Sequence, residues 1–225
     1  MKASEIASMI DVSAVQAEAT IEDIQQSANV AARHGCICVF ALPAHTPYLN
    51  GLLAGSNTLT GGVVGFPGGS ETTSIKRATA VELARMGCAE IDMVNNITWL
   101  KAANKKAYIQ DIQAVIDGAG NLPVKVILEC HWLTNDEIQR ACEWSVEAGA
   151  SWVKTGTGWA PTGATLENVS LMAKTVGEDC GIKAAGGVRN LQTLMAMYER
   201  GARRFGIGVK AVESILDEVA NIENK

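Results

Sequence analysis

Two lysines in short apolar segments are the residues of this chain most suited to chemistry. Lys154 lies in WVKTGTG (152–158) and Lys183 lies in GIKAAGGVR (181–189). Lysine is rarely buried without a reason. Two buried ammonium groups close together repel each other and are poorly solvated, so at least one should lose its proton near neutral pH. A neutral amine in a pocket attacks carbonyl carbon and forms a Schiff base.

Further charged residues fall within predicted strands. Asp92 and Lys154 each follow, by five residues, the glycine that ends the preceding helix, which places them at equivalent depths. Strand alternation predicts that Lys125 and Glu129 share one face. Buried ion pairs contribute little net stability, whereas perturbed ionisable groups cluster at active sites, so we favour catalysis over a structural role. The predicted interior charged residues are Lys125, Lys154, Lys183, Asp92, Glu129 and Asp11.

A repeated unit must position these residues: a helical stretch, a glycine, a small residue and an apolar strand. It occurs around Gly35, Gly87, Gly149 and Gly201. Glycine accepts the left-handed conformation that ends a helix, and short apolar runs are typical of buried parallel strands. Strands are predicted near 9–13, 36–41, 59–66, 89–94, 124–129, 152–156, 181–185 and 204–208, and helices near 20–34, 73–86, 104–118, 134–148, 165–175, 190–200 and 211–222.

This alternation predicts an α/β fold, an eight-stranded parallel (β/α)8 TIM barrel, with residues 1–225 as a single domain. An open doubly wound sheet is the alternative, but no GxGxxG turn follows the first strand. TIM-barrel enzymes place catalytic groups at the carboxyl ends of strands and often bind phosphate after the last two. The candidate phosphate- or substrate-binding residues are Thr157, Gly158, Gly186, Gly187, Arg189, Gly206, Gly208 and Lys210.

Composition excludes several classes of function. The net charge of -5 provides no basic patch for nucleic acid. No apolar run reaches the ~18 residues of a membrane helix, and the first residues lack the apolar core of a signal peptide, so we expect a cytoplasmic enzyme. The six cysteines fit buried, reduced thiols. The three histidines show no ligand spacing, so no metal site is expected.

Five stretches in this order resemble the deoxyribose-phosphate aldolase family. They are GFPG (65–68), GCAEIDMV (87–94), VKVILE (124–129), VKTGTG (153–158) and IKAAGGVR (182–189). The resemblance implies a class I aldolase on a parallel α/β barrel, without metal or cofactor. Its substrates are a small sugar phosphate and an aldehyde, and it would be a homodimer or homotetramer. The reaction would be reversible cleavage of 2-deoxy-D-ribose 5-phosphate to D-glyceraldehyde 3-phosphate and acetaldehyde.

The same resemblance assigns roles to individual residues. It makes Lys154 the Schiff-base lysine and Lys183 the second lysine, which lowers the pKa of the first and exchanges protons. Asp92 would relay protons through a water molecule. Lys125 and Asp11 would be supporting charged residues, and Glu129 lies in the matching stretch.

The sequence departs from the family pattern at several strand ends. Phe40–Pro43 reads FALP where the family has Cys-Val-Asn-Pro, and residues 154–159 end in Trp159 where the family has Phe. The last strand of the family ends in serines that help to hold phosphate, whereas residues 206–210 here read GIGVK. Lys210 could supply a point charge instead. The tail pocket is therefore predicted to be altered. The same chemistry on a related sugar or sugar phosphate, with an acceptor aldehyde other than glyceraldehyde 3-phosphate, is the alternative to cleavage of deoxyribose 5-phosphate.

The sequence is also compatible with three other functions. A barrel isomerase or epimerase for sugar phosphates would use a carboxylate or cysteine base and no Schiff base. A metal-dependent aldolase would need ligands that His34, His45 and His131 do not provide. A non-catalytic sugar-phosphate sensor would have no reason to keep Lys154, Lys183 and Asp92 buried.

Overall fold

Eight parallel strands close into a barrel in the computed structural model, which describes residues 1–223. Each strand pairs with the next along the chain, and the last pairs with the first. The predicted TIM barrel is therefore confirmed. The strands are β1 Ile10–Ala14, β2 Cys38–Ala41, β3 Leu59–Val64, β4 Glu90–Val94, β5 Val124–Ile127, β6 Trp152–Lys154, β7 Gly181–Ala185 and β8 Arg204–Ile207.

The first α-helix precedes β1, and the later α-helices follow strands and form the outer layer. The α-helices are α1 Ala3–Ala7, α2 Ile21–His34, α3 Thr46–Leu53, α4 Thr73–Arg85, α5 Ile97–Lys101, α6 Lys105–Ala119, α7 Asn135–Glu147, α8 Leu166–Val176, α9 Leu191–Glu199 and α10 Val209–Glu223. All seven predicted helices are present, whereas α1, α3 and α5 were not predicted. Thr20 with Asp23 and Thr134 with Glu137 form capping boxes at the starts of α2 and α7.

The main hydrophobic core lies between the strands and the helices. Val15, Cys38, Phe40 and Val63 form a separate, smaller apolar cluster near β1 to β3. Buried charged side chains from β1, β4, β5, β6, β7 and β8 lie beside this cluster inside the barrel. Phe40 lies over Gly61, its register partner on β3, where a methyl group would be 2.3 Å from the ring. Glycine at 61 therefore leaves room for the aromatic ring.

Two further findings concern exclusions made from the sequence. Within residues 1–223, all six cysteines are buried free thiols, as predicted. Over the same residues, none of the helices combines the length and the apolar character needed to cross a membrane.

Candidate active site

The two predicted lysines lie side by side inside the barrel. Lys154 at the end of β6 is the register partner of Lys183 on β7, so both side chains leave the sheet on the same face. Lys154 is 4% exposed and Lys183 is fully buried. Both ammonium groups donate to the same oxygen, Oδ2 of Asp92, at 2.8 Å from Lys154 and 2.6 Å from Lys183. The structure thus brings together the three residues predicted to be catalytic.

Six buried charged side chains, including Asp92 and Lys183, form a closed circuit of contacts that we call the ionic ring. Positive and negative members alternate around it, and the last contact returns to Asp92. In order, the contacts are Asp92 with Lys183 (2.6 Å), Lys183 with Asp11 (2.5 Å), Asp11 with Arg204 (2.8 Å), Arg204 with Glu90 (3.0 Å), Glu90 with Lys125 (2.9 Å) and Lys125 with Asp92 (3.2 Å).

The ionic ring is electrically balanced without Lys154. Three carboxylates face three cations, and Lys154 contacts the ring through Asp92. Burying charges is costly unless they are paired, so a balanced ring is the arrangement that burial favours. When Lys154 is protonated, the interior carries one excess positive charge. Lys154 is therefore the group that loses its proton most readily.

The pKa values follow from this arrangement. Burial, and next the charge of Lys183, lower the pKa of Lys154 to about 8, although Asp92 opposes them. For Lys183, burial is outweighed by the carboxylates of Asp11, Asp92 and Glu90, which raise its pKa above the ordinary value. Burial also opposes ionisation of Asp92, but Lys125, Lys154 and Lys183 hold its pKa well below the usual range. Near neutral pH the site therefore combines a deprotonatable amine, an ammonium group and a carboxylate.

Sequence reasoning missed two members of the ionic ring, Glu90 and Arg204. Glu90 lies two residues before Asp92 on β4, so strand alternation already placed it on the same face. Arg204 is the register partner of Lys183 on β8. Arg204 reaches Asp11 because β8 pairs with β1, and this pairing is not visible in the sequence.

Glu129 does not belong to the interior charged set, and that prediction is wrong. β5 ends at Ile127, and Glu129 has a left-handed backbone with φ of 56°, so strand alternation no longer applies to it. Its carboxylate instead accepts hydrogen bonds from the backbone N–H and the hydroxyl of Thr157. A methyl group on Gly156 would lie 2.6 Å from this carboxylate and would push it away from Thr157. Glu129 thus fixes the loop that follows Lys154.

One cavity of about 620 Å³ opens over Lys154 between the ends of β6, β7, β8 and β1. All eight residues predicted to bind phosphate or substrate line it: Thr157, Gly158, Gly186, Gly187, Arg189, Gly206, Gly208 and Lys210. Arg189 and Lys210 give this wall positive charge. α10 begins at Val209, so its N-terminus also faces the cavity. Such an end favours an anion, and the cavity fits a small substrate with an anionic tail.

Trp159 crosses the mouth of the barrel from the loop after β6. Its indole N–H donates to the carbonyl oxygen of Val15 after β1 at 3.0 Å. Its ring meets the edge of Phe66, after β3, with centroids 5.9 Å apart. Trp159 therefore forms a bridge over the apolar cluster, beside Val15, which lines the cavity. Trp132, which follows β5, is instead 53% exposed and packs against His131.

Three potential metal ligands lie close together within the barrel. The ligand atoms of Asp11, Cys38 and Glu90 are all within 4.8 Å of one another. However, the guanidinium of Arg204 already bridges Asp11 and Glu90. Burial, followed by the charges of Glu90 and Asp11, raises the pKa of the Cys38 thiol well above its ordinary value. This group is therefore better described as part of the ionic ring than as a cation site.

Comparison with known proteins points to one family. The profile described as DeoC/LacD family aldolase matches residues 6–211. The deoxyribose-phosphate aldolase of Klebsiella pneumoniae is 44% identical over 216 residues, covering 95% of this chain and 87% of that protein. The enzyme of the same name from Methanothermobacter thermautotrophicus is 43% identical over 212 residues, covering 93% and 94%.

Solved structures agree with this relationship. The aldolase QR15 superposes with a TM-score of 0.91 at 30% identity, covering 97% of each chain. The deoxyribose-phosphate aldolase from Aeropyrum pernix, described as having a unique tetrameric structure, superposes with a TM-score of 0.89 at 25% identity, covering 98% of this chain and 93% of that one.

Proposed function

Because the chain belongs to the DeoC/LacD family of aldolases, we propose that it cleaves 2-deoxy-D-ribose 5-phosphate reversibly to D-glyceraldehyde 3-phosphate and acetaldehyde through a Schiff base on Lys154. The observation that carries the proposal is the position of the Lys154 amine. It lies at the floor of the cavity, beside a balanced ionic ring that leaves its own charge uncompensated. A lysine with lowered pKa in a pocket is an activated nucleophile.

The reaction begins when the neutral amine of Lys154 adds to the aldehyde carbon of the open-chain sugar. Loss of water from the resulting carbinolamine gives an iminium ion, which withdraws electrons from the neighbouring carbon. The bond between the second and third carbons then breaks as a base removes the proton of the C3 hydroxyl. Glyceraldehyde 3-phosphate leaves, the enamine on Lys154 is protonated, and hydrolysis releases acetaldehyde. Each positioned proton transfer typically contributes ~10²–10⁴-fold to the rate.

Lys183 and Asp92 supply the groups that this sequence needs. Lys183 remains an ammonium group, so it disfavours the protonated form of Lys154 and can donate a proton to the departing hydroxide. Asp92 remains a carboxylate, so it faces the positive iminium and passes protons through a water molecule. Lys125 and Asp11 support them by fixing Asp92 and Lys183.

The phosphate of the substrate would bind at the opposite end of the cavity. Arg189 and Lys210 provide charge, while Thr157, Gly158, Gly186, Gly187, Gly206 and Gly208 provide a close backbone surface. Gly208 stands where a hydroxyl donor was expected from the family pattern. This favours a second candidate function, the same lysine chemistry with another acceptor aldehyde. Steady-state kinetics with deoxyribose 5-phosphate distinguish the two, because an altered acceptor pocket would raise KM and leave trapping of acetaldehyde intact.

The experiment that tests the proposed chemistry is borohydride trapping. The protein is mixed with 2-deoxyribose 5-phosphate and borohydride, and its intact and peptide masses are measured. A reduced two-carbon adduct on Lys154 is the expected result, and the Lys154→Arg variant, which keeps the charge, should form none. Absence of an adduct from both the sugar phosphate and acetaldehyde would overturn the proposal and favour a sugar-phosphate isomerase or a sensor. An adduct from acetaldehyde alone would retain the chemistry and change the acceptor.

We further propose that residues 1–225 act as one aldolase domain and that the chain assembles as a homodimer or homotetramer. The barrel accounts for all of residues 10–207 as consecutive βα units. Sedimentation at several concentrations, compared with the mass of 23.7 kDa for one chain, tests the assembly. A single 23.7 kDa species at all concentrations would contradict it.

A further inference from the structure

The half of the ionic ring farthest from the cavity has no part in the reaction described above. Arg204 is 7% exposed and bridges Asp11 on β1 to Glu90 on β4. Glu90 is 3% exposed, and its Oε2, which accepts the hydrogen bond from Arg204, also contacts the Lys125 nitrogen at 2.9 Å. Among the residues described, the lining of the cavity includes Lys154 but no member of the ionic ring. Asp92 contacts Lys154 directly and Lys183 contacts the same carboxylate oxygen, whereas Glu90 and Arg204 are connected to Asp92 only through other members of the ring. Glu90 and Arg204 are therefore the members placed too far from Lys154 to touch substrate.

Stability alone is a poor reason to keep Glu90 and Arg204 charged. Buried ion pairs are often replaced by apolar side chains without loss of stability, because removing ions from water offsets their attraction. Phe40 and Trp152 show that aromatic rings already fill parts of this interior. Phe40 lies 4.1 Å from the Lys183 nitrogen, measured to the ring centroid, and Trp152 lies 5.5 Å from the Arg204 guanidinium.

The pattern of contacts indicates what the charges do. Within residues 1–223, each cation of the ring contacts two carboxylates: Lys183 contacts Asp11 and Asp92, Lys125 contacts Asp92 and Glu90, and Arg204 contacts Glu90 and Asp11. Lys154 contacts Asp92, which it shares with two other lysines. Lys154 is thus the least compensated of the four cations.

We propose that Glu90 and Arg204 are positioning residues that balance the ionic ring, so that Lys154 rather than another buried group gives up its proton. The inference rests on the proposed function, since it concerns the amine that would form the Schiff base. Its core is charge counting: three carboxylates hold three protonated cations, and the fourth cation releases its proton to the cavity.

Lys154 is surrounded by titratable groups from nearly every strand, and all must be included in the count. The facing groups are Asp92 and Glu90 on β4, Lys125 on β5, Lys183 on β7, Arg204 on β8, Asp11 on β1 and the protonated thiol of Cys38 on β2. The cavity above adds Arg189, Lys210, Glu18 and Asp23. β3, Leu59–Val64, contributes no titratable side chain.

Charge counting makes predictions of opposite sign for the two residues. Arg204→Met leaves the carboxylates in excess, so Lys154 retains its proton and its apparent pKa rises. Glu90→Gln leaves the cations in excess, so the apparent pKa falls. A shift of about one unit is expected for one charge ~10 Å away at an effective dielectric constant of ~20. The double variant restores the balance and should return the pKa towards that of the wild type.

The experiment measures the rate at which borohydride traps acetaldehyde on Lys154 between about pH 6 and 10, in single-turnover conditions. Wild type, Arg204→Met, Glu90→Gln and the double variant are compared. Arg204→Lys retains the charge and should keep the wild-type pH profile. Asp111→Asn removes a charge from the buried Lys76–Asp111 ion pair between α4 and α6 and should also leave the profile unchanged.

Opposite shifts that cancel in the double variant are the expected result. Shifts in the same direction, or none, would show that Glu90 and Arg204 act only through packing and would overturn the inference. If Arg204→Met fails to fold by circular dichroism, the comparison of Glu90→Gln with wild type still decides the sign. Failure of the wild type to form any adduct would instead refute the proposed function, so the two failures are distinguishable.

Discussion

Replacing Lys183 by methionine removes a positive charge close to the proposed nucleophile and keeps an unbranched side chain. The nitrogens of Lys154 and Lys183 contact the same oxygen of Asp92 at 2.8 and 2.6 Å, so they are at most about 5.4 Å apart. At an effective dielectric constant of ~20, two unit charges at this distance repel by about 3 kcal/mol. That repulsion corresponds to about two pKa units.

The variant should therefore raise the pKa of Lys154 from about 8 to about 10. Loss of Lys183 also takes one partner from Asp92 and one from Asp11, which acts in the same direction. At pH 7.5 the neutral fraction of the amine falls from about a quarter to well under one per cent. The rate of Schiff-base formation should fall on the order of 100-fold at this pH and recover as the pH approaches 10.

The assay follows adduct formation on Lys154 by mass spectrometry during acetaldehyde trapping, as a function of pH. Lys76→Met is the matched control, because Lys76 on α4 is another fully buried lysine paired with a carboxylate, that of Asp111 on α6. Lys183→Arg tests charge separately from shape. If Lys183→Met loses activity equally at all pH values, with its acid limb still near pH 8, repulsion from Lys183 does not lower the pKa of Lys154.

Three further predictions concern the cavity walls. Gly208→Ser adds a side chain whose Cβ would have no atom of residues 1–223 within 4 Å. Its hydroxyl should lower KM for deoxyribose 5-phosphate about tenfold, since a hydrogen bond to a charged group contributes about 1.5–3 kcal/mol. Gly187→Ser, at φ of 90°, should instead impair folding or binding. Trp159→Phe keeps an aromatic ring but loses one hydrogen bond across the barrel mouth. The melting temperature should fall by a few degrees, and larger donor aldehydes should react faster than with the wild type. An unchanged preference among donor aldehydes would refute the bridging role. Thr157→Val leaves the buried carboxylate of Glu129 without its hydroxyl donor. In steady-state kinetics, kcat should fall by a larger factor than KM rises. A kcat equal to that of the wild type would show that other contacts hold the loop.

The order of strands and helices could be predicted because its signals are local. Every predicted strand overlaps an observed one. The signal is strongest for β2, β4, β6 and β8, where an apolar run follows a helix and the glycine at 35, 87, 149 or 201. The missed helices are short: α1 and α5 have five residues each and α3 has eight, so few turns show a helical period. The left-handed backbone of Glu129 has no signal either, because that conformation is uncommon for a residue other than glycine.

The sequence identified most of the charged residues of the site, but it did not identify which of them contact each other. Alternation identifies which face of a strand a charge occupies, whereas its partner depends on closure of the barrel. Arg204 and Asp11 are 193 residues apart and meet because β8 pairs with β1. Trp159 and Val15 are 144 residues apart and meet across the barrel mouth. Such contacts follow from the whole topology and not from any sequence window.

The pairing of aromatic rings with glycines has a consequence for evolution and for library design. Phe40 lies over Gly61, and Trp152 lies over its own register partner, Gly181, where a methyl group would also be 2.3 Å from the ring. Enlarging either glycine alone is sterically blocked, while a smaller residue in place of the aromatic opens the space. Positions 40 and 61 should therefore covary among relatives, as should 152 and 181. A combinatorial library would reach new interior shapes by randomising each pair jointly, because single-site steps pass through variants that cannot pack.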